Sequence, residues 1–285
     1  MSVPIHSDRN FKVNHKMKDN HYSMRAAESY GNMYGIGYML SGDRMIITPH
    51  KTVMVHPGTV QFMHKNLIHR TTYITEGIYE NIDIKFRESV AEHIITIIGQ
   101  EQFDMLYDRI SITLTPEATE QMNQIVKLIE HEWSHYDTYS DTIIESLTVQ
   151  FFVTALRGQS VSPKIDTLLK DQHLSLIDAI HYVQCHYAND PSLKETAKAV
   201  HISDAYLSRL FTSQLDTTYS CFLTEIKISH AMELLFNTNL TIAEIAAQCG
   251  YSNSNYFSDA FKKVISISPL QYRKGKNALE NALES

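Results

Sequence analysis

The chain has 285 residues, of which 43% are hydrophobic and 20% charged, and its formal net charge is −7. This is the composition of a globular protein long enough for two separate cores, and the lack of a long apolar run excludes a membrane span. No apolar segment follows a basic one at the start, and the cysteines are few and widely spaced. We therefore expect a cytoplasmic protein with reduced core thiols at Cys185, Cys221 and Cys249.

The first 86 residues contain short apolar segments separated by turns. Residues 34–40 alternate Tyr, Ile, Tyr and Leu with Gly and Met, and they end in a turn at 41–43. Further strands are predicted at 44–48, 51–55, 60–63, 70–75 and 79–86. Many short strands joined by turns predict a β-sandwich or barrel.

From 88 to 158 the sequence is typical of helices. Thr115 followed by Pro116 marks a helix start, with Thr as the N-cap and Pro at the first helical position. Two apolar stripes follow, Met122, Ile125, Val126, Ile129 and Trp133, and then Ile143, Ile144, Leu147, Phe151 and Leu156. Each stripe either covers the strands or forms a surface for a partner. Gly, Ser and Pro at 158–163 predict a linker into a second domain.

A possible metal motif lies within these helices. His131, Glu132 and His135 match H-E-x-x-H, in which two His one helical turn apart bind zinc and the Glu acts as a base, and Glu145 is a conceivable third ligand. A zinc metalloprotease is therefore an alternative of another class. The motif arises by chance in many sequences rich in His and Glu, so we predict that the protein is not an enzyme.

Two segments near the C-terminus follow one pattern. Ser192 with Glu195, and Thr241 with Glu244, each have the spacing of a capping box. The two boxes lie 49 positions apart, and Gly250 is expected to end the helix that starts at the second. The repeat predicts two helix-turn-helix units, at about 192–213 and 241–264. A helix over 218–236, about 28 Å long, would hold them near the roughly 34 Å spacing of successive major grooves.

Residues 176–276 resemble the DNA-binding region of the AraC/XylS family of bacterial transcription regulators. The shared residues include Ile245-Ala246, Gly250-Tyr251, Tyr256-Phe257, Phe261-Lys262-Lys263, Ser268-Pro269 and Tyr272-Arg273 in the second unit, with Tyr206-Leu207, Arg209, Phe211, Ala231 and Leu234-Leu235 before it. The sequence departs from the family where a common Gly is Asp216 or Ser266, and where a common Arg is Lys227.

The resemblance implies which residues face DNA. The recognition positions are Ala205, Ser208 and Arg209 in the first unit and Ser254, Asn255, Ser258 and Asp259 in the second, with a basic cluster that includes Lys262, Lys263 and Arg273. Arg209 can contact guanine with two hydrogen bonds, or it can pair with Asp204 or Asp216 on the protein. Basic and acidic residues are equal in number between 172 and 276, so binding should depend on this local cluster and on dimerisation.

Residues 38–69 resemble the cupin-like effector domain that precedes the DNA-binding half in many members of the family. The resemblance implies effector-binding positions at Ser41, His69, Thr71, Asn81 and Asp83. The polar residues of strand 79–86 would then point into a pocket suited to a hydroxyl-rich ligand, whereas in an ordinary half-buried strand they would face water. The paired His and following Glu of metal-binding cupins are absent, so we expect no metal and no cofactor.

These observations predict an α+β protein with a cupin-like effector-binding and dimerisation domain at 1–160. A linker at 161–174, a DNA-binding domain at 175–276 and a tail at 277–285 would follow. The predicted function is an effector-responsive, homodimeric activator of a carbohydrate catabolic or transport operon. The partners that the resemblance implies are a double-stranded DNA operator, a small-molecule effector such as a sugar, and RNA polymerase. The alternative within the class is a virulence or stress regulator that senses an apolar ligand.

Overall fold

The computed structural model describes residues 9–19, 27, 30–65, 67–73, 77–160 and 171–274. Most of the predicted linker and the whole predicted tail therefore lie outside the described residues. The fold is mixed α and β, with a sheet-rich N-terminal part and a helical C-terminal part. None of the helices in the described ranges is both long and apolar enough to span a membrane.

Within the described residues, eight strands form two antiparallel sheets. The strands are β1 (Phe11–Asp19), β2 (Tyr34–Ser41), β3 (Arg44–Ile47), β4 (Thr52–Val55), β5 (Thr59–Met63), β6 (Arg70–Tyr73), β7 (Ile78–Phe86) and β8 (Ser111–Thr113). The larger sheet has the order β1-β7-β2-β5-β8, and the smaller has the order β4-β3-β6. The sequence predicted six of these strands but missed β1, which pairs along its whole length with β7, and β8, which lies inside a segment predicted to be helical.

The two faces of the larger sheet have different surroundings. Ile82, Ile84 and Phe86 of β7 are buried in a core that includes Phe103 and Phe152 from the helices after the sheet. Because strand side chains alternate, the neighbouring Tyr79, Asn81 and Asp83 belong to the opposite face. These polar positions are also buried, so the polar row does not face water.

Four helices follow β7 and cover the apolar face of the larger sheet. They are α1 (Glu88–Ile98), α2 (Gln100–Arg109), α3 (Pro116–Ser134) and α4 (Ser140–Arg157). Thr115 caps α3 by accepting a hydrogen bond from the amide of Ala118, with Pro116 at the first position, as the sequence predicted. Both apolar stripes pack into the core of the same chain, with Met122, Ile129 and Phe151 fully buried. The stripes therefore serve mainly as cover for the sheet, and the interpretation of them as partner surfaces is wrong for their buried members.

The described part of the C-terminal half contains six long or medium α-helices. They are α5 (Asp171–His186), α6 (Leu193–Ala199), α7 (Asp204–Leu215), α8 (Tyr219–Asn237), α9 (Ile242–Gln248) and α10 (Ser254–Ile265). Residues 269–274 form a further helical turn that places Tyr272 against Phe261. The cysteines are free thiols, but only Cys249 is buried; Cys185 and Cys221 are exposed on α5 and α8, which corrects the expectation of three core thiols.

Candidate nucleic-acid interface and effector cluster

Both helix-turn-helix units begin with the capping box that the sequence predicted. The side chains of Ser192 and Thr241 accept hydrogen bonds from the amides of Glu195 and Glu244, each at 3.2 Å. In return, the two carboxylates accept from the cap amides at 2.8 and 2.7 Å. The cap hydroxyls also donate to these carboxylates, and the hydrogen bonds from the hydroxyls, together with those from the cap amides, lower the pKa of both carboxyls below the usual value. The caps fix where α6 and α9 begin, and thus where each turn presents its second helix.

Four residues with positive φ shape the ends of the helices in these units. Gly250 has a φ of 73°, and His201 takes the same conformation at the matching position of the first unit with a φ of 58°. Asp216 and Ser266, which replace glycines common in the family, keep left-handed values of 49° and 70° at the ends of α7 and α10. Both residues therefore adopt the left-handed conformation that a glycine takes readily, at the strain cost of a side chain with positive φ.

The second helix of each unit presents the predicted recognition positions on its outer face. Leu207 and Phe211 anchor α7 in the core, and Phe257 and Phe261 do the same for α10. Ala205, Ser208 and Arg209 are exposed on α7, as are Asn255 and Asp259 on α10. Ser254 and Ser258 are only half-exposed, and the hydroxyl of Ser258 donates to the carbonyl of Ser254 at 2.8 Å.

Charged residues on the two recognition helices differ in what they can offer DNA. The guanidinium of Arg209 lies over the ring of Tyr206, with Cζ 5.3 Å from the ring centroid. Arg209 is exposed on α7, so its guanidinium can be reached from solvent. Lys262 and Lys263 are exposed at the end of α10. Arg273 departs from the prediction, because its Nε and Nη2 are buried without a hydrogen-bond partner among the described residues.

A buried lysine joins the two units, and the sequence indicated it only as a departure from the family pattern. Lys227 on α8 is 4% exposed. Its ammonium donates to Asp190, which precedes α6, at 2.5 Å and to the carbonyl of Gly250, which follows α9, at 3.2 Å. It also lies 4.9 Å from the centroid of the Tyr251 ring. One cation thus contacts both units from the helix between them.

A connected set of polar side chains is buried in the sheet-rich half. The Nε2 of Gln61 donates to the Oδ1 of Asn81 at 3.2 Å, and the Nδ2 of Asn81 donates to the Oδ1 of Asp83 at 2.6 Å. Arg44 donates to Gln61 and also to the hydroxyl of Tyr79, the latter at 2.5 Å. We call Arg44, Gln61, Asn81 and Asp83 the polar cluster. It joins the two sheets, because Arg44 lies on β3 and the other three lie on β5 and β7.

The charges around the polar cluster do not balance. Burial acts to raise the pKa of Asp83, but Lys16 at 2.6 Å and Arg44 outweigh it, so the pKa lies below its usual value. Burial lowers the pKa of the nearby His69 to about 4, which keeps this ring neutral at pH 7. Two cations therefore face one carboxylate. The Nε of Arg44 is buried and has no partner among the described residues, so the cluster retains an unused donor.

The other effector positions predicted from the resemblance are distributed unevenly. His69, which immediately precedes β6, and Thr71, which lies on β6, are both buried. They are two positions apart and therefore share a face of the strand. Ser41, the half-buried last residue of β2, does not join the polar cluster, because its hydroxyl donates to the carbonyl of Ile78. Sequence reasoning missed Arg44 and Gln61. Each is a charged or amide residue in an otherwise apolar predicted strand, and this pattern could have indicated both.

The opposite face of the smaller sheet packs on the C-terminal half. Met45 and Ile47 of β3 share a core with residues of α5, α7 and α8. Arg70 of β6 is 2% exposed, and its guanidinium donates to the carboxylate of Glu225 at 2.8 Å and to the carbonyl of Leu215 at 2.8 Å. The sequence gave no sign of the pairing of Arg70 with Glu225, because 155 positions separate them. The sheet thus separates the polar cluster from the first helix-turn-helix unit.

The H-E-x-x-H segment lies at the end of α3. The rings of His131 and His135 have centroids 4.4 Å apart, and Glu132 accepts a hydrogen bond from Ser140 at 2.5 Å. Glu145, the conceivable third ligand, instead contacts His93 at 2.5 Å. In the described ranges, the residues of this segment do not form a group of three potential ligands.

Comparisons with known proteins agree with this geometry. A family model described as a helix-turn-helix domain matches residues 196–275. The transcriptional activator RhaR of Salmonella typhimurium is 29% identical over 159 residues, which are 55% of this chain and 55% of RhaR, and RhaR of Salmonella arizonae matches equally. The chain spans about half the length of the curated relatives that it matches.

Among solved structures, the C-terminal domain of AraT, a response regulator from Geobacillus stearothermophilus, is 37% identical over 37% of this chain and 88% of that domain, with a TM-score of 0.36. ToxT from Vibrio cholerae is 16% identical over 93% of this chain and 97% of its own, with a TM-score of 0.37. The helix-turn-helix match falls on the two units described above, so the C-terminal part of this chain is a helix-turn-helix DNA-binding domain, and with the similarity to RhaR it supports an AraC/XylS family transcription regulator.

Proposed function

We propose that this regulator is a cytoplasmic homodimer that binds a small hydroxyl-rich effector and activates a carbohydrate catabolic or transport operon through RNA polymerase. One observation carries the proposal: the polar cluster is buried on one side of a sheet whose other side packs on the DNA-binding half. In this view the sheet-rich half is a cupin-like sensing domain.

The chemistry of the polar cluster suits a sugar or a sugar acid. Discrimination of hydroxyl groups depends on placed donors and acceptors that become unsatisfied with the wrong ligand. Amide groups at Gln61 and Asn81 offer both, and Arg44 offers an unused donor. The excess of cationic charge around Asp83 favours a ligand that also has a carboxylate.

The route from the cluster to the DNA-binding half is short. On β3, Arg44 contacts the cluster, while the next residue, Met45, packs against the C-terminal half. On β6, Arg70 and Thr72 donate to residues at the end of α7 and on α8. An effector that moves Arg44 would therefore shift strands that contact α7 directly, and it would bias the arrangement of the two halves.

Dimerisation is supported by apolar side chains that the helices leave exposed. Leu128 on α3 and Ile143 on α4 are 54% and 42% exposed, although the other faces of both helices are buried. A second copy of the chain would bury this surface and place four recognition helices on one operator. The full-length protein should sediment as a dimer at micromolar concentration, and the fragment from 172 onward as a monomer.

The test begins with the selection of an operator from a random duplex pool by the full-length protein. Thermal unfolding and operator binding are then measured with neutral sugars, sugar acids and fatty acids. The proposal expects one sugar class to raise the melting temperature and change operator affinity. Asn81→Ala should abolish the response, whereas the matched variant Ser41→Ala, outside the cluster, should retain it. A sugar response that survives Asn81→Ala would refute the site.

A second candidate is regulation by an apolar ligand in a virulence or stress response. A cavity of about 590 Å³ lies between the two halves, with Ile68, Met232 and Phe236 among its apolar lining residues. A response to fatty acids alone, lost when Met232→Trp fills this cavity, would favour the second candidate over the first.

A further inference from the structure

Three potential metal ligands meet where the sheet-rich half contacts α8. His50 lies in the turn between β3 and β4, and His230 and Glu233 lie on α8. One ligand atom from each of the three falls within 4.8 Å of the others. His50 Nε2 is 2.7 Å from the nearer oxygen of Glu233, and His230 Nδ1 is 3.9 Å from the other.

The types of ligand and their separations suit a zinc-like ion. Two imidazoles and one carboxylate, with a fourth position left to water, form a recurrent zinc donor set. Bonds of about 2.0–2.2 Å in a tetrahedron put the donor atoms about 3.3 Å apart. The Oε2 of Glu233 is 2.9 Å from His50 Nε2 and 3.9 Å from His230 Nδ1, and these two separations lie on either side of this value.

The two α8 ligands are arranged by the helix itself. Residues three apart lie on the same face, so His230 and Glu233 project together toward His50. The ring of His230 stacks on Tyr187 with centroids 3.9 Å apart and an interplanar angle of 7°. The ring of His50 stands edge-on to His230 at 4.6 Å. Aromatic contacts thus hold His230 in one orientation before any ion binds.

His230 is the buried member of the three proposed ligands, and it is 8% exposed. Its Nε2 is buried and makes no hydrogen bond with the described residues. The side chains of His50 and Glu233 are 49% and 40% exposed, so the open side of the cluster is accessible to an entering ion and to a water ligand.

We infer that His50, His230 and Glu233 bind one divalent transition-metal ion of the zinc class, which joins the sheet-rich half to α8. The site is separate from the polar cluster and from the H-E-x-x-H segment. The sequence favoured no metal, because these ligands come from segments 180 residues apart and match no motif. The binding claim does not depend on the proposed effector, since its test uses neither sugar nor DNA.

The experiment titrates full-length protein, freed of metal with a chelator, with Co²⁺ and Zn²⁺. Tetrahedral Co²⁺ bound by these ligands absorbs visible light, and calorimetry gives the Zn²⁺ stoichiometry. We expect one ion per chain, an affinity loss of at least tenfold in His50→Ala and Glu233→Gln, and no loss in the matched control His131→Ala. Both test positions are substantially exposed in side chain, and circular dichroism checks that each variant is folded.

Thermal unfolding provides the second measurement, because an ion that binds only the folded chain raises the melting temperature. Zn²⁺ should raise it for wild type and His131→Ala but leave it unchanged for His50→Ala, whatever the metal-free stability of each. Mg²⁺, which prefers oxygen ligands, should have no effect. Absence of Zn²⁺ binding to wild type, binding that survives His50→Ala, or a loss confined to His131→Ala would overturn the inference.

Discussion

The two helix-turn-helix units share a backbone but differ in chemistry. Each begins with a capping box and has a recognition helix of 12 residues that ends at a residue with positive φ. At one recognition position, however, the first unit carries Arg209 and the second carries Asp259. Capping and core residues thus repeat the fold, while exposed residues are free to diverge. We therefore expect the two units to contact DNA differently.

The units also differ in their polar contacts with the sheet-rich half. The carbonyls of Gln214 and Leu215, at the end of α7, accept hydrogen bonds from Thr72 and Arg70. Arg70 also donates to the carboxylate of Glu225 on α8. We therefore expect a displacement of β6 to act directly on the end of α7 and on α8.

The largest expected difference between the units concerns the turn after their first helices. A Cβ at Gly250 would lie 2.4 Å from the carbonyl oxygen of Ala188, and φ there is positive. Gly250→Ala should lower the free energy of unfolding by about 2–3 kcal/mol and abolish operator binding. The matched change His201→Gly removes a strained side chain and should alter it by less than about 1 kcal/mol. Chemical denaturation measures both, and equal losses would show that the two turns are not distinct.

A smaller loss of stability is expected at Lys227, which contacts both units. Lys227→Met keeps the length of the side chain but removes the donor to Asp190 and Gly250. Because Asp190 is largely exposed and can be solvated, we expect a loss of about 1–2 kcal/mol. Denaturation of the 172–285 fragment checks this. A variant as stable as wild type would mean that the ammonium does not join the units.

The next largest difference between the units is expected in their discrimination between bases. Arg209→Ala should remove about 1–3 kcal/mol of discrimination at one base pair in one half of the binding site. Binding to the selected operator and to variants of each half-site, measured by gel shift, tests this. An unchanged operator preference would place the role of Arg209 on the protein, with Tyr206 as its partner.

A smaller effect, similar for all DNA sequences, is expected from the contact of the second unit with the DNA phosphate backbone. Lys262→Ala should weaken binding to operator and random duplex alike and reduce the slope of log affinity against log salt by about one unit. A salt titration with both duplexes measures this. A loss on the operator alone would indicate base reading by Lys262.

The smallest expected change is a gain. Asp259→Asn removes a carboxylate that would repel phosphate and should raise affinity for random duplex a few-fold, without a change in operator preference. The same salt titration measures it. If random-duplex affinity falls instead, Asp259 makes a favourable contact, such as one with a cytosine amino group.

The sequence by itself determined the local features. Capping boxes at Ser192 and Thr241, the turn at Gly250, the start of α3 and the exposed recognition faces all depend on residues within one or two helical turns of each other. Alternation in β7 also revealed its two rows. Such features can be predicted from the sequence because their interactions join residues that are close together in it.

Tertiary structure alone decided what those local features contact. It buried the polar row of β7 against Arg44 and Gln61, packed the apolar stripes of α3 and α4 into their own core, and exposed Cys185 and Cys221. It also joined Arg70 to Glu225 and brought His50 to His230 across 180 positions. A pattern gives the faces of an element, but which face another segment covers depends on how distant parts of the chain pack, and no local spacing records that.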